Sequence, residues 1–255
     1  MGAKIKAKIH INSNASAKEI STRNEFYEKF SQCPIPPKEL LSNLGLFLNR
    51  QTLSRIIYMH DLYQKIINVN GIVVEFGVRW GQNLSLFSSF RGMYEPYNYY
   101  RKIVGFDTFS GFSSISNKDG KNEIISKGAF GVTQDYEEYL NAVMSCHEQG
   151  SPVNHIKKYE LIKGDATVTL EKYLQDNPQT IIALAYFDFD LYEPTKKCLE
   201  LIWPYITKGT VIGFDELNDP TFPGETIALK EVFGLDKYSI RRSPIDSGPS
   251  YVVVE

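Results

Sequence analysis

From Ile72 onward the chain alternates between short apolar runs and segments with helical periodicity, and this alternation leaves few folds open. Runs at Ile72–Phe76, Lys102–Phe106, Tyr159–Lys163, Thr180–Phe187 and Thr210–Phe214 read as strands. Leu53, Ile56, Ile57, His60, Tyr63 and Ile67 recur at helical spacing ahead of the first strand. Further helices are expected at Asn83–Arg91, Asp135–Cys146, Thr169–Gln175, from Pro194 to Ile206, and at Glu225–Phe233. Strands that alternate with helices build a mostly parallel sheet covered on both faces. The last two runs, Tyr238–Arg242 and Tyr251–Glu255, have only a turn-rich segment between them, so they must pair antiparallel. The expectation is an α/β protein with a mostly parallel seven-stranded sheet and an antiparallel C-terminal hairpin.

Composition narrows the function classes. The balance of 28 Lys+Arg against 30 Asp+Glu gives a net charge of -2, which argues against a general nucleic-acid binder. The longest fully apolar run, Ile181–Phe187, is too short to span a bilayer. The start, Met1-Gly2-Ala3-Lys4-Ile5-Lys6, is basic but carries no apolar core of a secretion signal, so a cytoplasmic location is the expectation. Cys33, Cys146 and Cys198 are an odd set without Cys-x-x-Cys spacing, neither a disulfide framework nor a zinc site. Residues 1–22 read as a leader, either an edge strand or a loose arm, with Lys4, Lys6 and Lys8 in rough alternation with apolar residues, and Pro34-Ile35-Pro36-Pro37 breaks the chain before the main body. The break divides the chain into an N-terminal arm and helical extension, 1–50, and a main domain, 51–255. A polar stretch, 111–152, is longer than an ordinary connection and reads as a lid or substrate-recognition insertion.

In open sheets of this kind ligands bind beyond the carboxyl ends of the strands, so chemistry is sought just after each one. The first strand runs into Glu75-Phe76-Gly77-Val78-Arg79-Trp80-Gly81-Gln82-Asn83. Its two glycines allow either a plain strand–helix turn or close approach to a ligand. Glu75 lies among apolar residues and needs a partner: an amine, a hydroxyl or a ligand cation. Asp107 follows the second strand, where an acid either accepts from ribose hydroxyls or caps a helix. Asp165 follows the third, facing an adenine or capping the next helix. Asp188 and Asp190 follow the fourth strand, and Asp215 and Glu216 the fifth. If those strands are neighbours, the four carboxylates share one rim, either solvated or neutralised by a hard divalent cation.

These segments resemble the class I S-adenosylmethionine-dependent methyltransferases, and more narrowly the macrocin O-methyltransferase family of sugar O-methyltransferases. The resemblance rests on Val74-Glu75-Phe76-Gly77-Val78, Gly105-Phe106-Asp107-Thr108-Phe109-Ser110-Gly111, Asp188-Phe189-Asp190-Leu191-Tyr192-Glu193-Pro194-Thr195 and Gly213-Phe214-Asp215-Glu216. It covers Tyr63 to the C-terminus, and the Asp-x-Asp-Leu-Tyr-Glu-x-Thr segment is its most specific part. It implies a Rossmann-like fold and O-methylation of a sugar or other diol in a natural-product or polysaccharide pathway. It implies S-adenosylmethionine held by Glu75, Gly77, Val78, Gly81, Asn83, Asp107, Thr108 and Asp165. It further implies Mg²⁺ held by Asp188, Asp215 and Glu216, with Asp190 as general base. The sequence departs from the family's usual pattern at Glu216, where Asp is typical, and at Gln82, where a second Gly is. The implied partner is a small-molecule acceptor, a sugar or glycosylated metabolite; a homo-oligomer is compatible with the sequence.

Two other classes compete. A nicotinamide-dependent oxidoreductase would share the sheet, but the first loop lacks Gly-x-Gly-x-x-Gly, and the Tyr-x-x-x-Lys from Tyr192 to Lys196 lies in the acidic loop. A non-catalytic cofactor-binding module would keep the strand-end residues without turnover. His60 reads as a core histidine, His147 and His155 as surface ones, Trp80 and Trp203 as packing residues, and Arg241 and Arg242 as solvated, with a substrate anion as the alternative for one of them.

Overall fold

The computed structural model describes residues 15–255. Three helices precede the sheet: α1 (Ala17–Ser31), α2 (Pro37–Ser42) and α3 (Arg50–Ile66). Residues 17–22, expected as part of an arm, belong to α1, because Ser16 and Glu19 form a reciprocal capping box that starts the helix. The Lys4, Lys6 and Lys8 alternation lies outside the described residues. Helix α1 buries none of its own residues and meets the rest through Phe26 and Phe30 against Phe47.

The main body then alternates as expected: β1 (Ile72–Phe76), α4 (Gln82–Tyr94), β2 (Ile103–Asp107), α5 (Tyr136–Gln149), β3 (Tyr159–Lys163), α6 (Ala166–Asp176), β4 (Ile182–Phe187), α7 (Tyr192–Ile202), β5 (Ile206–Phe214), α8 (Gly224–Val232), β6 (Arg241–Arg242) and β7 (Ser250–Val253). The seven strands form one sheet in the order β3-β2-β1-β4-β5-β7-β6. The first five are parallel, β7 runs antiparallel to β5, and β6 antiparallel to β7. Strand β6 keeps two of its five expected residues. Helix α7 begins two residues before Pro194, which sits in its first turn. There its missing N–H costs no intrahelical hydrogen bond.

Side-chain alternation along the strands feeds two cores. Ile72, Val74 and Phe76 face α6, α7 and α8, together with Leu170, Leu199 and Leu229. Val73 faces α3, α4 and α5, together with Leu62, Leu84 and Leu140. Truncating a fully buried residue such as Leu62 to Ala is expected to cost about 2–5 kcal/mol. Glu75 sits in the fully buried β1 on the α3/α4 face, where every neighbour along the strand is apolar. His60 is half-buried, not a core residue, and meets the hydroxyl of Tyr94 at 2.7 Å. Among the described residues no helix is long and apolar enough to cross a membrane.

The sheet order reverses direction between β1 and β4, so the carboxyl ends of these two strands open a crevice. The long segment after β2 divides in two. Residues 111–135 fold over the crevice, and α5 goes back to cover the sheet. Asp119, 1% exposed, ties the first part down: its carboxylate accepts from the backbone N–H of Tyr192 at 2.6 Å and of Ser116 at 2.5 Å.

Candidate active site

The crevice is a cleft of about 410 Å³ at the strand ends, and it brings together nearly all the residues expected there. Gly77, Val78, Gly81, Asn83, Asp107, Thr108 and Asp165 line one part; Asp188, Asp190, Asp215 and Glu216 line the other. Glu75 lies just behind the wall, 1% exposed.

The turn after β1 depends on its glycines for protein packing. A Cβ on Gly77, at φ +88°, would collide with the carbonyl oxygen of Asp188, so only glycine lets β1 and β4 close up here. A Cβ on Gly81 would strike the side chain of Leu140 on α5. Asn83 sits in the first turn of α4, buried, and hydrogen-bonds Glu75. Burial, with the nearby Asp188 charge, holds the Glu75 carboxyl well above the usual range. Its Oε2 has no hydrogen-bond partner. An orphaned, buried carboxylate oxygen beside a cleft is a costly feature that a cationic ligand group would relieve.

Asp107 accepts from the backbone N–H of Arg79 at 2.7 Å and of Phe109 at 2.5 Å, which locks the turns after β1 and β2 together. Burial raises its carboxyl despite those two donors. The Thr108 hydroxyl donates to the carbonyl of Gly111 and shapes the same turn. Asp165 is exposed and caps α6, accepting from the backbone N–H of Thr167 at 2.9 Å. The capping role is therefore realised, and the residue also faces the cleft.

At the ends of β4 and β5, ligand oxygens of Asp188, Asp215 and Glu216 lie within 4.8 Å of one another. Arg55, from α3, reaches into this group. Its guanidinium donates to Asp188 Oδ2 at 2.8 Å and pairs with Asp215 Oδ1, and it lies 5.3 Å from the Tyr186 ring centre. The Tyr186 hydroxyl donates to the same Asp215 oxygen at 2.6 Å. Glu225, fully buried, accepts from the backbone N–H of Phe189 at 3.1 Å and of Glu216 at 3.3 Å, pinning the two strand ends. Burial, with the charges of Asp190 and Asp188, raises its carboxyl well above the usual range.

Asp190 is held in the left-handed region, φ +62°, and is 8% exposed. Such a conformation costs a non-glycine residue on the order of 1–3 kcal/mol and persists only where its surroundings impose it. Burial, then the Asp188 charge, push its carboxyl up to about 7, and it hydrogen-bonds Glu216. Burial together with Asp190 raises Glu216 well above the usual range, and Glu216 Oε2 has no partner.

Sequence reasoning missed Arg55, Arg79 and Glu225. Arg79 also lines the cleft, with its guanidinium 5.0 Å from the ring centre of Phe130 in the overlying loop. Pro223-Gly224-Glu225, an acid opening an apolar helix right after the acidic rim, is the one local signal that points to Glu225. His147 and His155 stay away from the cleft.

No known family profile matches the sequence, and no curated protein does. Solved structures do. The chain is similar to CalS11, a calicheamicin methyltransferase, with 43% identity, TM-score 0.91 and 94% of each chain covered. A second CalS11 structure, in the apo form and described as a TDP-rhamnose 3'-O-methyltransferase of calicheamicin biosynthesis, matches at 41% identity and TM-score 0.83, over 94% of this chain and 96% of that one. The O-methyltransferase NovP shares the fold at 18% identity and TM-score 0.59, with 79% of each chain covered. With identity of this order over nearly its whole length, the chain belongs to the class I sugar O-methyltransferases.

Proposed function

We propose that this enzyme transfers the methyl group of S-adenosylmethionine to one hydroxyl of a sugar, next to a divalent ion. What supports this most is one juxtaposition: Glu75 and Asp107 at the ends of β1 and β2, and Asp188, Asp190, Asp215 and Glu216 at the ends of β4 and β5, border a single cleft. The relative that acts on TDP-rhamnose supports a sugar acceptor.

The residues fit both groups. Three clustered carboxylates offer the hard oxygen ligands that Mg²⁺ prefers, and the unpartnered Glu216 Oε2 is a buried acceptor in need of a cation. Arg55 engages one oxygen each of Asp188 and Asp215 and leaves the others free. The unpartnered Glu75 Oε2 suits the amino group of the cofactor's methionine part, and Asp107 suits its ribose hydroxyls. Gly77, Val78, Gly81, Asn83 and Thr108 shape the same wall, with Asp165 toward the adenine end. When bound, S-adenosylmethionine supplies an electrophilic methyl on a sulfonium, and Mg²⁺, held by Asp188, Asp215 and Glu216, a Lewis acid for sugar oxygens.

The chain's own residues then have three tasks. Asp190 receives the proton of the attacking hydroxyl; its strained backbone and the Glu225 anchor beneath it fix where its carboxylate stands. Phe112, Phe130 and Leu191 cover the cleft and exclude water. Glu75 and Asp107 orient the donor for in-line attack, and orientation of this kind supplies up to ~7–11 kcal/mol of a barrier.

The test is transfer of labelled methyl to a panel of sugar acceptors, with and without EDTA. Turnover should depend on the ion. Asp190→Asn should lower turnover ~10²–10⁴-fold while S-adenosylhomocysteine binding stays intact. Turnover indifferent to EDTA would remove the metal from this proposal, and an unaffected Asp190→Asn variant would remove the base.

A further inference from the structure

A second cleft, of about 450 Å³, opens beside the acidic rim between the start of α3 and the loop joining β6 to β7. Arg50 and Ser54 line it from the helix; Arg242, Asp246 and Ser247 line it from the loop. Both arginines are exposed, and neither forms an ion pair with any described residue. Two guanidiniums without an ion-pair partner, lining one cavity from separate elements, make a site for an anion, because each presents planar donors that match phosphate oxygens in pairs, and Arg242 spends only one of its donors on the Ser243 carbonyl at 3.4 Å.

The two clefts share a wall. Ser54 faces this one and Arg55, the next residue, faces the acidic one. Gly248, in the same β6–β7 loop, lies against the backbone of Asp215. Along α3, Arg50 and Arg55 are separated by about 7.5 Å of helix axis.

The loop is built to hold its shape. Ser243, 1% exposed, accepts at Oγ from the backbone N–H of Ile245 and Asp246 and donates its own N–H to the carbonyl of Pro249. Arg242 is thus carried on a fixed edge. Asp246 brings the one negative charge into the cleft. Its Oδ1 accepts from the backbone N–H of Ser247, which turns part of its hydrogen-bonding capacity inward.

We propose that this cleft seats the diphosphate of a sugar nucleotide, with Arg50 and Arg242 as its ligands. The sugar then enters the acidic site from that side. This rests on the reading of the acidic cleft as a sugar O-methylation site, and it makes the acceptor an activated sugar, one methylated before its transfer to an aglycone.

The test is calorimetric binding of thymidine 5'-diphosphate and of inorganic pyrophosphate to the protein saturated with S-adenosylhomocysteine. Methyl transfer to a sugar nucleotide and to the methyl glycoside of the same sugar is measured alongside. Both diphosphates should bind. Arg50→Gln and Arg242→Gln should each weaken binding about tenfold or more, raise KM for the sugar nucleotide correspondingly, and leave kcat and S-adenosylhomocysteine affinity unchanged. Asp246→Asn should tighten binding. The methyl glycoside should react poorly and equally in all variants.

If neither diphosphate binds, or if both arginine variants bind as the parent does, the subsite is refuted. Brisk methylation of the methyl glycoside would then show the sugar reading to stand without it. No methyl transfer to any sugar would overturn the reading of the acidic site instead, a result that the calorimetry does not depend on.

Discussion

Arg55 donates to Asp188 Oδ2 at 2.8 Å across 133 residues of chain, and the same guanidinium pairs with Asp215. A helix outside the alternating body therefore supplies the one positive charge that touches the acidic triad among the described residues. Burial works against that charge; Tyr186, Asp188, Glu216 and Glu75 more than offset it and keep Arg55 protonated.

Arg55→Met should expose this dependence. Removing one partner of a largely buried ion pair leaves the carboxylates uncompensated, at a cost of about 2 kcal/mol here, discounted for partial exposure. Thermal melts with and without Mg²⁺ should show a lower Tm for the variant and a larger Mg²⁺-dependent rise than in the parent. An equal rise in both proteins would show that Arg55 does not balance the site.

Glu75→Gln should separate stability from binding. A buried carboxylate that is hard to ionise costs the fold, so the amide should leave Tm unchanged or raise it. The lost charge-assisted hydrogen bond, worth about 1.5–3 kcal/mol, should weaken S-adenosylhomocysteine tenfold or more. Calorimetry and a melt on the same sample give both numbers. Undiminished affinity would take Glu75 out of the cofactor site.

The loop over the cleft is tied to α8 by Glu231, which accepts from Lys118 at 2.6 Å, Lys196 at 2.9 Å and the Tyr192 hydroxyl at 2.6 Å. Those hydrogen bonds, Lys118 first, hold its carboxyl down to about 2. A depressed carboxyl stabilises the folded state above its ordinary range near 4.5 and loses that contribution as pH falls through about 2. The tie should therefore be constant at neutral pH and fail only in strong acid. An NMR titration of the Glu231 carboxyl should find a midpoint near 2, and one near 4.5 would mean that the tie does not form in solution.

Strand ends were the legible part of this molecule. An acid after an apolar run is visible in one dimension, and the parallel sheet does the rest by bringing successive strand ends to one rim. Asp107, Asp188, Asp190, Asp215 and Glu216 could be read that way. Arg55 could not, because its place in the site comes from how α3 packs across β4 and β5, and helical periodicity reports only the buried face. Glu225 was hidden for the same reason, since an acid in a helix's first turn is ordinarily a solvated favour to the helix dipole. Helix α1 was legible in principle: Ser16-Ala17-Lys18-Glu19 is a capping box, but α1 lacks the buried apolar stripe that usually draws attention to a helix. Asp165 shows the limit from the other side, because a helix cap and a cleft residue look identical in sequence.

In the proposed reaction the methyl donor and the acidic triad share one cleft. The most direct measurement loads the enzyme with Mn²⁺ and S-adenosylmethionine carrying a ¹³C methyl, and follows relaxation of the methyl signal. Strong Mn²⁺-induced relaxation is expected, and it should be lost in Asp188→Ala and in Asp215→Ala while the cofactor stays bound. Relaxation that is absent in the parent enzyme, or unchanged in both variants, would contradict a shared cleft.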